Sequence, residues 1–177
     1  MAIGPFRSER RPRLHALGEA RQVERRVFVN APPRAVWAAL HDPSNLGVLF
    51  PELRLGPAEP AWPAAAARRS CRARMGLLRD DATVESLEAR PQASFRLRVT
   101  GGAFRSEWRW RLEARAGGTR VVHDAVLEPG DRITEWLIRL GRDSLSERVE
   151  THLRVLKEVA ESAWAADVDA RHRSRLA

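Results

Sequence analysis

The feature that most constrains this chain is a long amphipathic stretch near its C-terminus, residues 131–165. Its apolar residues recur at gaps of three and four, the spacing that places side chains along one face of an α-helix. A continuous helix of this length would extend about 50 Å. An apolar face of that length is unstable in water, so the rest of the chain must supply a surface that covers it. The apolar positions are Ile133, Trp136, Leu137, Leu140, Leu145, Val149, Leu153, Leu156, Val159, Ala160 and Ala163.

Two features bear on whether this helix is continuous. Gly141 lowers helix stability, and Ser144 with Glu147 fits a capping box that would start a second helix. The apolar face keeps its phase across Gly141, so we predict one helix with a kink there. Asp131, which follows a Pro-Gly pair, is the predicted N-cap.

The residues before this helix predict β-structure. From residue 68 onward, apolar and charged residues alternate for about sixty residues. The clearest run is 104–113, where Phe104, Trp108 and Trp110 share one face and arginines and glutamates occupy the other. Glycine pairs at 101–102 and 117–118 indicate hairpin turns. Consecutive hairpins predict an antiparallel meander with one apolar face, which the long helix would cover.

The residues before the meander predict a first strand, two short helices and an edge strand. A strand over 22–30 ends at two prolines, helices follow over 33–41 and 44–49, and a short edge strand lies near 52–56. The predicted fold class is therefore α+β: an antiparallel sheet of about seven strands whose apolar face is covered by a long C-terminal helix, with two short helices after strand 1.

The chain length of 177 residues suits one domain with terminal extensions. We predict a disordered basic arm over 1–21, a folded domain over 22–165 and a flexible tail over 166–177. No apolar run approaches the ~20 residues needed to span a membrane. Cys71 is the only cysteine, which excludes an intramolecular disulfide, and we predict a cytoplasmic protein. The sequence leaves the oligomeric state open.

The net charge of +8 raises the question of a nucleic-acid or acidic partner. The densest arginines lie in the arm, at Arg7, Arg10, Arg11 and Arg13, without an aromatic-basic platform. Nucleic-acid binding is therefore disfavoured. A scaffold whose arm binds an acidic partner stays open as a hypothesis, and deletion of residues 1–21 would test it.

Three segments resemble the SRPBCC superfamily, which includes START lipid-transfer domains and polyketide cyclase/dehydrase-type proteins. The first, 29–43, reads VNAPPRAVWAALHDP; the others are GGTRV at 117–121 and LRVLKE at 153–158. The resemblance covers about 22–165. It implies a helix-grip fold, in which a curved sheet wraps the C-terminal helix and leaves an apolar cavity. It does not imply one activity, since the superfamily hosts both carriers and enzymes.

The alternation independently predicts which side chains would line such a cavity. An aromatic lining with a few polar groups suits a hydrophobic or flat ligand, although the same side chains could simply fill a core. The predicted ligand-binding residues are Met75, Phe95, Leu97, Phe104, Ser106, Trp108, Trp110, His123, Trp136 and Leu140.

His123 is the one candidate for catalysis, because an imidazole in an apolar cavity can act as a general acid or base near neutral pH. The alternative is a core histidine bonded to a backbone carbonyl. His152 would face His123 or lie at the helix edge, and we favour the edge. Ser106 and Cys71 have no neighbouring base in the sequence. No metal-ligand spacing or phosphate loop is present, so we predict neither a metal nor a cofactor.

These observations favour a protein that binds a hydrophobic small molecule, lipid or aromatic and polyketide-like, between sheet and helix. The alternative is a polyketide cyclase/dehydrase-type enzyme that uses His123, assisted by Ser106 or an inward arginine. That alternative requires open volume beside His123, and both require a cavity.

Overall fold

The structure is a computed structural model that describes residues 21–42, 44–57, 64–140 and 145–176, with side chains up to 174. Its elements in chain order are β1 (Arg21–Val29), α1 (Pro33–His41), α2 (Leu46–Leu49), β2 (Leu53–Leu55), β3 (Arg68–Met75), β4 (Leu78–Arg90), β5 (Ser94–Gly101), β6 (Phe104–Arg115), β7 (Gly118–Pro129), α3 (Arg132–Leu140) and α4 (Leu145–Leu176).

The strands form one seven-stranded sheet in the order β1-β7-β6-β5-β4-β3-β2. Every neighbouring pair is antiparallel. Strands β3 to β7 are therefore the predicted meander, β1 joins it beside β7, and β2 is the predicted edge strand. The helix-grip α+β fold predicted from the sequence is confirmed.

The two faces of the sheet follow the alternation of the sequence. In β5, Phe95, Leu97 and Val99 are buried, and the arginines between them point outward. Two of these, Arg96 and Arg98, bind the carboxylate of Glu107 on β6 at 2.7 and 2.9 Å. The outer face thus carries cross-strand ion pairs, while the inner face is apolar and buried.

Helix α4 covers the inner face as predicted. Buried apolar residues recur along it at helical spacing, at Leu145, Val149, Leu153, Leu156 and Ala160. The helix packs along β1, β7 and the two short helices α1 and α2. The core of the domain therefore lies between the sheet, α4 and this pair of helices.

Helix α3 corrects the predicted apolar face. Thr134 and Ile138 are its buried residues, whereas Ile133, Trp136 and Leu140 are exposed. The cause is the turn between β3 and β4: a Cβ on Gly76 would lie 2.7 Å from the Ile138 carbonyl oxygen, so the backbones touch here. This contact sets the rotation of α3 about its own axis. The apolar residues of α3 therefore do not continue the buried face of α4. Trp136 and Leu140, which we predict to bind the ligand, therefore face away from the sheet interior.

The N-cap of α3 agrees with the prediction, since Asp131 Oδ1 accepts a hydrogen bond from the Thr134 amide at 2.7 Å. The kink predicted at Gly141 and the capping box at Ser144 lie outside the described residues. So does the arm, apart from Arg21, which already belongs to β1.

Residues 166–176, which we predict to be part of a flexible tail, lie in α4, which continues to Leu176. No proline or glycine interrupts residues 166–176, and Arg171 pairs with Asp167 one turn earlier, an arrangement that supports an exposed helix. None of the described helices combines the length and apolarity needed to cross a bilayer.

Candidate functional site

Eight of the ten predicted ligand-binding residues converge on the inner face of the sheet. The strand register places Leu97 opposite Trp108 and Phe95 opposite Trp110, while Trp110 also lies opposite His123. The converging residues are Met75, Phe95, Leu97, Phe104, Ser106, Trp108, Trp110 and His123. Trp136 and Leu140, on the exposed side of α3, do not join them.

An aromatic cluster forms the centre of this region. Trp108 and Trp110 are two residues apart on β6 and meet edge to face, with ring centroids 6.3 Å apart. Phe50, from the connection between α2 and β2, lies 5.4 Å from Trp108 and 5.5 Å from Trp110. Trp110 also stacks on His123 at 4.3 Å. Sequence reasoning missed Phe50, since it belongs to neither the meander nor the long helix.

These side chains fill the space in which the sequence predicts a cavity. The eight converging residues expose at most 3 % of their surface. A cavity large enough for a water molecule would leave exposed area on its lining, so these residues border no such space. The predicted cavity is therefore closed in this structure, because the rings pack against one another. Two open pockets, of about 640 and 390 Å³, lie instead along the β2–β4 end of the sheet.

A buried chain of three polar side chains runs through the aromatic cluster. Glu52 Oε1 lies 2.7 Å from His152 Nε2, and His152 Nδ1 lies 3.1 Å from His123 Nε2. His123 Nδ1 in turn lies 3.2 Å from the carbonyl oxygen of Arg109. The three side chains come from β2's N-terminal flank, α4 and β7, and they are at most 5 % exposed.

The hydrogen-bond partners of this buried polar chain, together with a neutral His123 and an ionised Glu52, assign its protons. The Arg109 carbonyl can only accept, so His123 Nδ1 carries a proton that it donates. A neutral His123 then has a bare Nε2, which accepts from His152 Nδ1–H. Because the carboxylate of Glu52 accepts from His152 Nε2–H, both nitrogens of His152 are protonated. The chain is therefore a buried carboxylate–imidazolium pair followed by a neutral imidazole.

The electrostatics agree with this assignment. Burial acts to raise the pKa of Glu52, but the positive charge and hydrogen bond of His152, together with the charge of Arg148, outweigh it and lower the pKa below its usual value. Burial lowers the pKa of His123 well below its usual value, and the positive charge of His152 adds to this. Arg148 is itself buried, with Nε 4.0 Å from Glu52 Oε1.

The prediction that His152 lies at the helix edge is wrong, because it points inward and binds His123. The available signal was its place next to Leu153 on the buried face of α4. Glu52 gave no comparable signal, since a carboxylate in a short edge segment is usually solvated. His123 has no exposed surface and both of its nitrogens are engaged. The open volume that the cyclase hypothesis requires beside His123 is not found among the described residues.

Neither the Ser106 hydroxyl nor the Cys71 thiol is arranged as a nucleophile. Ser106 Oγ–H donates to the Val126 carbonyl at 2.8 Å and accepts from Trp108 Nε1–H at 2.8 Å. Its hydroxyl therefore holds the indole in place rather than facing a base. Among the described residues, no three or more metal-ligating side chains are grouped to hold an ion.

Cys71 is expected to be unreactive in the folded protein. It is buried, and this burial, with the nearby carboxylates of Asp80 and Asp81, raises the pKa of its thiol to about 11. We expect less than about a tenth of the protein to react with Ellman's reagent at pH 7 within the time that denatured protein reacts completely. Complete labelling of folded protein on that timescale would contradict this burial.

Residues 20–161 match the family model described as polyketide cyclase / dehydrase and lipid transport. No curated protein sequence matches. Among solved structures, a Thermus thermophilus protein is similar with 24 % identity and a TM-score of 0.61, over 81 % of this chain and 99 % of that one.

Two further structures share the fold. An aromatase/cyclase from a Streptomyces species is 16 % identical over 81 % of this chain and 94 % of its own, with a TM-score of 0.61. A norcoclaurine synthase from Thalictrum flavum, solved with a transition-state analogue, is 6 % identical over 82 % and 96 %, also with a TM-score of 0.61. At these identities the likeness concerns the fold.

Proposed function

The chain belongs to the polyketide cyclase / dehydrase and lipid transport family of the SRPBCC superfamily, and from that premise we propose that it binds a hydrophobic small molecule between the sheet and α4. The ligand is a lipid or an aromatic, polyketide-like compound. The site is the aromatic cluster with the buried chain of Glu52, His152 and His123.

The observation that carries the proposal is this buried polar chain. A carboxylate–imidazolium pair within a ring of aromatic side chains adds little stability compared with apolar side chains of the same volume. Polar groups in an apolar interior are instead typical of sites that orient a ligand by a few directed hydrogen bonds. The buried polar chain therefore favours a ligand that is mostly apolar and carries at least one polar group.

Binding requires the interior to open, and α3 is the element that would move. Its described residues bury only Thr134 and Ile138, while Phe50, Trp108 and Trp110 are held from several sides. Elements with few buried apolar contacts open at low free-energy cost. Withdrawal of Ile138 from the β3–β4 turn would uncover the end of the sheet interior.

Two measurements test this proposal. Native mass spectrometry of the purified protein is expected to reveal a co-purified hydrophobic molecule. The uncharged fluorophore N-phenyl-1-naphthylamine is expected to bind saturably, with energy transfer from the buried tryptophans. Ile138→Ala is expected to raise the association rate of the fluorophore at least several-fold, because the truncation removes one of the two buried side chains that hold α3 against the core.

The controls are Ile133→Ala and Trp136→Ser, which alter only the exposed side of α3. Both are expected to bind the fluorophore as the unaltered protein does. The proposal fails if the unaltered protein shows no saturable binding, or if Ile138→Ala and Ile133→Ala have the same association rate. It also fails if Trp136→Ser abolishes the signal, since the fluorophore would then be on the surface.

A further inference from the structure

The end of the molecule around the β3–β4 turn carries exposed apolar side chains. Leu77, in the turn, is 62 % exposed, and on α3 Ile133 is 72 %, Trp136 59 % and Leu140 49 % exposed. Ile133, Trp136 and Leu140 are spaced by three and four residues and so share one face of α3. The amide of Leu77 lies 3.4 Å from the Leu137 carbonyl oxygen, which places the turn alongside this helix. We call these four side chains the apolar rim.

Arginines on the other side of the same turn form the second feature. The register sets Arg74 directly opposite Arg79, on either side of the turn, and Arg54 directly opposite Arg72. Like charges directly across a strand pair destabilise a sheet. All four arginines line the surface pocket of about 390 Å³, together with Pro51 and Glu52, whose carboxylate is directed inward to His152. We call them the arginine corner.

The corner differs from much of the outer face. Several arginines elsewhere are matched by carboxylates on neighbouring strands, as Arg68 is by Glu85 at 3.0 Å and Arg111 by Asp124 at 3.3 Å. In the corner, Asp81 pairs with Arg72 at 3.1 Å. Within the described part of the chain, Arg54 and Arg79 have no hydrogen-bonding or ionic partner. Arg54 and Arg79 therefore hold positive charge that an external anion would neutralise.

From these two features we propose that the apolar rim and the arginine corner together dock on the surface of an anionic phospholipid membrane. The rim enters the boundary between headgroups and acyl chains, where tryptophan is favoured. The corner binds lipid phosphates, which guanidinium groups recognise by paired hydrogen bonds. The proposal does not depend on the identity of the ligand in the interior.

The two features select this partner over others. A soluble anion or a nucleic acid would satisfy the arginines but leave the rim exposed to water. A second copy of the chain would cover the rim but would bring its own arginine corner close to the first, and these charges repel. An anionic bilayer offers an apolar interior beneath a layer of negative charge, and so matches both features at once.

Vesicle co-sedimentation of the full chain tests the proposal. We expect binding to vesicles of phosphatidylcholine with phosphatidylglycerol at least about tenfold tighter than to phosphatidylcholine alone, and weaker at high salt. Ile133→Ser with Trp136→Ser, which alters the rim, and Arg54→Gln with Arg79→Gln, which alters the corner, are each expected to reduce that binding at least about tenfold.

Matched controls alter the same chemistry elsewhere. Val168→Ser removes an exposed apolar side chain from the far end of α4, and Arg90→Gln with Arg154→Gln removes two exposed charges. Both are expected to bind within about twofold of the unaltered protein. The arginines of residues 7–13 are present in every variant, so a loss confined to the rim and corner variants assigns binding to this surface.

Three results would overturn the proposal. One is equal or undetectable binding of the unaltered protein to the two kinds of vesicle. Another is a loss in the control variants as large as in the rim and corner variants. The third is a dimer in size-exclusion chromatography that the rim variant dissociates, which would make a second copy the occupant. Circular dichroism and thermal unfolding of each variant verify that its fold is intact.

Discussion

Glu52→Ala is expected to destabilise the folded protein by about 3–5 kcal/mol, the cost typical of removing one partner of a buried ion pair. Glu52 is 5 % exposed and lies between His152 and Arg148. Without its carboxylate, His152 Nε2–H loses its buried acceptor and the counter-charge that stabilises the imidazolium. A domain of this size has a stability of about 5–15 kcal/mol, so this is a large fraction of the total.

Urea unfolding at pH 7 measures this effect. The control is Glu158→Ala, which breaks an ion pair of 3.1 Å with Arg154 on the exposed face of α4. That surface pair is expected to contribute less than about 1 kcal/mol. If Glu52→Ala costs no more than Glu158→Ala, the buried ion pair described here does not exist in solution.

A compensated variant separates charge from packing. Replacing Glu52, Arg148 and His152 together by apolar residues of similar volume removes every buried charge of the network. We expect this triple variant to be more stable than Glu52→Ala alone, because no charge is left unpaired. The interior ligand proposed above is expected to bind it more weakly, since its polar partners are gone.

Acidification from pH 7.5 to 5 is expected to reduce the stability of the folded protein, with His123 contributing about 2 kcal/mol of the loss. Burial lowers the pKa of His123 well below the 6.5 of a free imidazole. Below pH 6.5 the unfolded chain therefore binds a proton that the folded chain does not, and stability falls as the pH falls. His41 acts in the same direction, since burial lowers its pKa to about 4.

The lowered pKa of Glu52 affects the stability of the folded protein in a more acidic pH range. A lowered carboxyl pKa contributes stability above about 4.5 that is lost only as the pH falls through the lower folded-state value. Between pH 7.5 and 5, His123 and His41 therefore contribute more to the loss of stability than Glu52 does.

The variant His123→Gln isolates the contribution of His123. Glutamine does not titrate, and its amide can donate to the Arg109 carbonyl and accept from His152. We expect the difference in unfolding free energy between pH 7.5 and 5 to shrink by about 2 kcal/mol. His172→Gln, at an exposed position late in α4, is expected to leave that difference unchanged. An unchanged difference in His123→Gln would show that this imidazole titrates normally in the folded state.

The sequence alone determined the architecture of this protein. The two-residue alternation of 104–113 sets which side of β6 is dry, and the three-and-four spacing from Leu145 to Ala160 sets the buried face of α4. Both patterns are local, because the faces of a strand or helix follow from backbone geometry. The hairpin glycines and the position of the helix predict a meander covered by the helix, and the resemblance to the SRPBCC superfamily implies the helix-grip arrangement of the two.

The tertiary structure decided the site. Glu52 and His152 are 100 residues apart, and their 2.7 Å contact depends on the position of the edge strand relative to α4. The rotation of α3 is set by its contact with Gly76. The spacing of apolar residues within α3 does not predict that contact. Whether the aromatic rings enclose a cavity or fill it depends on volumes summed over several elements. Local periodicity specifies the direction of a side chain, but its neighbours are specified only when all the elements pack together.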